Sequence, residues 1–111
     1  MPDSINTQMV NDLKELMEDD FSILLETFIS DANARLEDLQ SAITNNDAEQ
    51  LKQVAHAFKG SSANLGASKL SEICFSLENL GRESKLENAP AIYAELATEY
   101  HAVREYFTSL L

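Results

Sequence analysis

From Phe21 to Ile43 the apolar residues return every three or four positions: Phe21, Leu24, Leu25, Phe28, Ile29, Ala32, Leu36, Leu39 and Ile43. This spacing puts all of them on one side of an α-helix, and a stripe kept for about six turns marks a long helix with one buried face. Asp19 or Asp20 stands where its N-terminus is expected.

The other apolar positions follow the same period. After a short lead-in over residues 1–5, Ile5, Met9, Val10, Leu13, Leu16 and Met17 predict a brief amphipathic helix that caps the bundle. Asn45-Asn46-Asp47 reads as a turn, with Asp47 a natural N-cap and Glu49 placing acid in the first turn of a helix from about Ala48 to Asn64. Gly66 is suited to end that helix in a left-handed conformation. Ser68 is the expected N-cap of a fourth helix over 69–83, with Leu70, Ile73, Cys74, Leu77 and Leu80 on one side and its end near Gly81 to Ser84. Asn88-Ala89-Pro90 opens the last helix, Pro being favoured at the first helical position. Its stripe is Ile92 or Tyr93, Leu96, Tyr100, Val103, Phe107 and Leu110.

Four long amphipathic helices joined by short connections predict an all-α fold, an antiparallel up-down four-helix bundle with a short additional N-terminal helix. With 111 residues, 44% of them apolar, the chain suffices for one core, so residues 1–111 are expected to form a single domain. Two Pro and three Gly are too few for a loop-rich β protein.

The formal charge of -11 disfavours partners that carry their own negative charge, and neither a nucleic acid nor a membrane surface is expected. Five of the eight basic residues, Lys52, Lys59, Lys69, Arg82 and Lys85, fall in one third of the chain and leave it locally less acidic. A lone cysteine, Cys74, excludes an internal disulfide and fits a reducing compartment. The N-terminus has no charged segment followed by an apolar run, and no stretch approaches the length of a membrane span, so the expected location is the cytoplasm.

In the helix over 48–64, Leu51, Val54, Ala55, Phe58 and Ser62 form the core stripe, continued by Leu65, and His56 points away from it. A surface imidazole is usually incidental, but the neighbours of this one are unusual. Gly60 sits one turn on, at a position where Gly costs a helix about 1 kcal/mol relative to Ala. With Ala63 and Ala67 it would clear side chains from around the ring. Lys59 puts a mobile ammonium within reach of an anion on His56. A metal-ligand role for His56 is disfavoured, because His101 is the only other histidine and no Glu-x-x-His pair of the di-iron type exists.

The block His56-Ala57-Phe58-Lys59-Gly60-Ser61-Ser62-Ala63-Asn64-Leu65-Gly66 closely resembles the active-site signature of histidine-containing phosphotransfer (HPt) domains. Leu77-Glu78-Asn79-Leu80-Gly81-Arg82 resembles the family's next helix, where a basic residue commonly faces the phosphorylated histidine. The resemblance implies that His56 carries a phosphoryl group between aspartates of receiver domains in a multistep two-component relay. It also implies that Lys59 and Arg82 stabilise the group, and that the partner receiver supplies the Mg²⁺ and the phosphoryl-bearing Asp. No cofactor of its own is expected for this chain, which would be a monomeric phosphoryl carrier rather than an enzyme.

Ser71, Phe75, Glu78 and Arg82 are read as one exposed face of the fourth helix, well away from its apolar stripe. Phe75, Ala67 and Ser71 are the expected docking positions. Some family members carry an amide where Glu78 stands; a carboxylate would repel a phosphate, so no phosphate-contact role is assigned to it. Ser62 has a packing explanation and, with Ser61, is a weak candidate for chemistry. His101 is expected to be an ordinary surface or packing histidine, and Cys74 an inert core residue. A competing reading is a non-catalytic helical adaptor that binds a partner through the His56/Phe75 face. A histidine-nucleophile phosphatase is disfavoured, since no further acid, base or oxyanion donor clusters with His56.

Overall fold

The computed structural model describes residues 4–111, so the first three residues of the expected lead-in lie outside the described residues. Five helices form: α1 (Thr7–Met17), α2 (Asp20–Thr44), α3 (Ala48–Asn64), α4 (Ser68–Arg82) and α5 (Ala89–Ser109). Their starts follow local chemistry. The Asn6 side chain accepts the Met9 N–H at 3.1 Å and the Asp47 side chain accepts the Gln50 N–H at 3.0 Å, each satisfying a donor that the first turn leaves free. Pro90 stands in the first turn of α5, where a missing N–H is harmless. The expected cap at Ser68 is not one: Ser68 is already helical, and Ala67 holds the cap position without a side-chain bond.

α2 packs on α3, α3 on α4, α4 on α5 and α5 back on α2, closing the four-helix bundle, while α1 lies against α2. Phe28, Phe58, Tyr100 and Phe107 meet at its centre, with Phe28 and Phe107 edge-on at 5.6 Å and Phe58 and Tyr100 edge-on at 6.2 Å. Such aromatic pairs add about 1 kcal/mol each beyond the area they bury. The Tyr100 hydroxyl donates to Asn33 Oδ1 at 3.0 Å, and the Tyr93 hydroxyl donates to the Leu36 carbonyl at 3.2 Å, which pins α5 along α2. Burial pushes the Tyr100 phenol up, so this donor keeps its proton.

One expected core position is overturned. Leu16, expected on the apolar side of α1, is 81% exposed, because α1 buries only Val10 fully and ends one residue later.

Gly66 has φ +77° and ends α3, and its carbonyl accepts the Asn6 N–H at 2.8 Å. Lys69 N–H bonds the Ser4 carbonyl at 3.3 Å, so the segment before α1 is stitched to the α3–α4 connection, with Ile5 buried beneath it. Gly81 serves a purpose that its place near a helix end did not suggest. A Cβ there would lie 2.7 Å from both the Ala48 carbonyl oxygen and the Lys52 nitrogen, so α3 and α4 meet backbone to backbone at this point. Cys74 is fully buried, and burial drives its thiol up to about 12 although Arg35 and Lys59 pull the other way.

Candidate functional site

Phe58 and Ala55, both 0% exposed, fix the rotation of α3, and His56 between them is thereby turned outward with 68% of its side chain exposed. What faces it across the groove is a carboxylate. Glu78 of α4 has a side chain only 4% exposed, and its Oε2 lies 3.0 Å from His56 Nδ1. The other oxygen, Oε1, lies 2.7 Å from Lys59 Nζ, and Oε2 is also 2.8 Å from Arg82 Nη2. Three basic side chains from two helices thus converge on one carboxylate. Burial works to raise the Glu78 pKa, but the bonds and charges of Lys59 and His56 outweigh it, and the net shift is downward. Glu78 is ionised at neutral pH and can only accept, so Nδ1 is the ring nitrogen that donates to it and Nε2 is the one left to solvent.

The cations have further anchors. Lys59 Nζ sits 4.9 Å from the Phe75 ring centroid, a cation–π contact, and the Lys59 carbonyl accepts the Ser71 hydroxyl at 3.1 Å. Arg82 Nη1 donates to Asn79 Oδ1 at 2.6 Å. Beside the ring, Lys52, Gln53, His56, Glu78 and Arg82 line an open hollow of about 330 Å³. Gly60 has nothing within 4 Å of where a Cβ would stand, and Ala63 is exposed, so this flank of α3 is open.

The site residues are therefore brought together, with three corrections. Glu78 is not on an exposed face: it lies on the flank of the α4 stripe, where α3 covers it. Lys59, expected on a polar surface, is only 27% exposed because Glu78 and Phe75 hold it. Ala67 is 0% exposed at the cap of α4 and offers nothing to a partner. Ser71 is half-buried and tied to α3, whereas Phe75 is 47% exposed and Arg82 54% exposed in its side chain. Ser61 also has a structural partner, accepting from Arg35 Nη1 at 3.1 Å. Lys52, counted in the basic cluster but given no role, lines the hollow, and nothing in the sequence signals the groove of about 340 Å³ between α1, α2 and α3, lined in part by Leu13, Met17, Leu24 and Phe28. Lys52 carried a signal, standing one turn before His56. The groove depends on how α1 is laid down.

Substitutions at two positions separate space from charge. Gly60→Ala is expected to raise stability by up to about 1 kcal/mol, since helix propensity improves and no atom is displaced. Gly60→Gln would crowd the His56 flank, and slowed phosphorylation with an unchanged melting curve is the expected pattern; a wild-type rate refutes the clearance argument. Lys59→Ala leaves the buried Glu78 with one cation fewer and is expected to destabilise the fold by about 1–2 kcal/mol at pH 7. Because the Glu78 pKa is depressed in the folded protein, that difference is present above the ordinary carboxylate range. It should fade as pH falls through the depressed value and Glu78 protonates. Denaturant titrations at pH 7 and in acid check both halves.

The family model described as the Hpt domain matches residues 23–106, which takes in α3 and α4 whole and nearly all of α2 and α5. The chain belongs to the Hpt domain family. A crystal structure of histidine-containing phosphotransfer protein B from Pseudomonas aeruginosa PAO1 is 36% identical, covers 98% of this chain and 95% of its own, and superposes with a TM-score of 0.95. A maize histidine-containing phosphotransfer protein, 21% identical, superposes with a TM-score of 0.86 over 97% of this chain and 89% of its own, which speaks for the Hpt fold alone. Among curated proteins, the phosphorelay protein LuxU of Vibrio harveyi is 24% identical over 108 residues, 96% of this chain and 95% of the relative.

Proposed function

We propose that His56 is the residue through which this chain, a histidine phosphotransfer protein of a two-component phosphorelay, carries a phosphoryl group between receiver-domain aspartates. The observation that carries this reading is the exposed imidazole, its Nε2 free and its Nδ1 tied to a buried carboxylate, with Lys59, Arg82 and an open Gly60 flank around it. In the forward step the Nε2 lone pair attacks phosphorus, the P–N bond forms, the P–O bond of the receiver's acyl phosphate breaks, and its electron pair stays on the departing carboxylate. Little else is asked of this chain: it positions the ring and offers positive charge, while Mg²⁺ and the aspartate belong to the receiver. We infer accordingly that it acts as a carrier rather than an enzyme, as a single domain and a monomer, in the cytoplasm. Phe75 and the exposed flank at Gly60 and Ala63 are the docking positions assigned here. Among the described residues no helix is long and apolar enough to cross a membrane, and no group of three or more His, Cys, Asp and Glu is placed to hold a metal ion.

The test is incubation with receiver domains carrying radiolabelled phosphate at fixed Mg²⁺ and ionic strength, the latter because exposed charges are screened. Label that is acid-labile and base-stable on this chain is the expected result. Receiver binding without label would instead make the chain an adaptor.

A further inference from the structure

The position of Glu78 carries an inference about what happens after the phosphoryl group arrives, and it rests on His56 being the acceptor. We propose that Glu78 is a positioning residue that keeps the proton on His56 Nδ1 in the phosphorylated state too, so that this chain holds its phosphoryl group in a labile, readily donated form rather than storing it.

The argument begins with the charge on the ring. When Nε2 forms the P–N bond and Nδ1 retains its proton, the imidazole becomes cationic. Glu78 Oε2, 3.0 Å from Nδ1 and nearly excluded from water, is the anion that faces this charge. Charge-assisted hydrogen bonds of this kind are roughly twice as strong as neutral ones. When an acceptor oxygen then attacks phosphorus, the P–N bond breaks and its electron pair returns to Nε2. With the proton held on Nδ1 the leaving group is a neutral imidazole. Without that proton it would be an imidazolate, a far poorer leaving group, and the phosphoryl group would be retained. The same holds whether the acceptor is an aspartate or water.

A second effect acts in the same direction. Lys59 and Arg82, two of the cations around His56, already lie 2.7 and 2.8 Å from the Glu78 oxygens. Their charge is shared with a carboxylate that cannot leave, because its side chain is buried between α3 and α4. The phosphoryl dianion must compete for them, in a chain of net charge -11 whose other cation at the hollow, Lys52, is itself 3.2 Å from Glu49.

Glu78→Gln tests this. The amide is the same size and can either accept from or donate to Nδ1, so it no longer fixes the proton, and it releases both cations to the phosphoryl group. His56 can be phosphorylated in the isolated protein with a small-molecule donor such as phosphoramidate, which removes the receiver from the measurement. The phosphohistidine of the variant is expected to survive about tenfold longer at neutral pH, the change that losing one charge-assisted hydrogen bond would make. Nitrogen chemical shifts of His56 should show a protonated Nδ1 in the wild type, before and after phosphorylation, and a mixture in Glu78→Gln. In a Glu78→Gln/Lys59→Ala pair the lifetime should stay longer than in Lys59→Ala alone, which separates the proton effect from the freeing of Lys59. A wild-type lifetime in Glu78→Gln, a shorter one, or a wild-type ring with its proton on Nε2 overturns the proposal. If the wild-type His56 takes no phosphoryl group at all, it is the assignment of His56 that fails instead.

Discussion

His56→Gln is expected to take no label from a phosphorylated receiver while its circular dichroism and melting curve match the wild type. The nucleophilic Nε2 is gone, and the lone pair of a carboxamide nitrogen, delocalised into its carbonyl, does not replace it. The fold should not notice, because the ring is 68% exposed and the amide of Gln can still donate to Glu78. Changes at such surface positions usually stay within about 0.5 kcal/mol. His101→Gln is the matched control: His101 is 73% exposed on α5, with only a 3.5 Å contact to Glu105, and should transfer normally. Acid-labile, base-stable label surviving in His56→Gln would remove the central assignment.

Gly81→Ala is expected to be among the more destabilising small substitutions in the chain. Its Cβ would stand 2.7 Å from the Ala48 carbonyl oxygen and the Lys52 nitrogen, both backbone atoms that cannot rotate aside. Relief requires α3 and α4 to move apart, and overpacking of this sort costs about 1–3 kcal/mol, or roughly 10 °C in thermal midpoint for a domain of this size. The displacement would also carry Arg82 and Glu78, both on α4, away from His56 on α3, so phosphorylation should slow as well. The contrast with Gly60→Ala is sharp, since the same substitution one helix earlier meets open space and should stabilise. A Gly81→Ala protein that melts at or above the wild-type temperature refutes the close-approach argument.

These two glycines show how far the sequence can be read. The five helices were legible because their apolar stripes are long and uninterrupted, and α3 could be bounded at Ala48 and Asn64 from Asp47 and Gly66. The outward turn of His56 followed from Phe58 and Ala55, whose burial leaves the ring no other direction. Gly60 was legible for the same reason, lying on a face whose exposure one helix settles alone. Gly81 and Glu78 were not, because each depends on a second helix. A helical wheel separates core from solvent but is ambiguous on the flank between them, and α3 closes over that flank of α4. Glu78 therefore looked like a surface acid one turn from Arg82, when it is the buried group on which three basic side chains converge. Leu16 is the opposite failure, an apolar residue at core spacing on a helix too short to cover it.

The burial of Cys74 has a consequence for handling the protein. A thiol with no exposed surface, raised to about 12, presents almost no thiolate at neutral pH, so peroxides and alkylating reagents find nothing to attack in the native fold. Oxidation of the surroundings therefore has no route to the His56 site through this residue. A single cysteine introduced at an exposed position such as Ala91 on α5 would be selectively reactive while the chain stays folded, and a fluorophore could be attached there with Cys74 left in place.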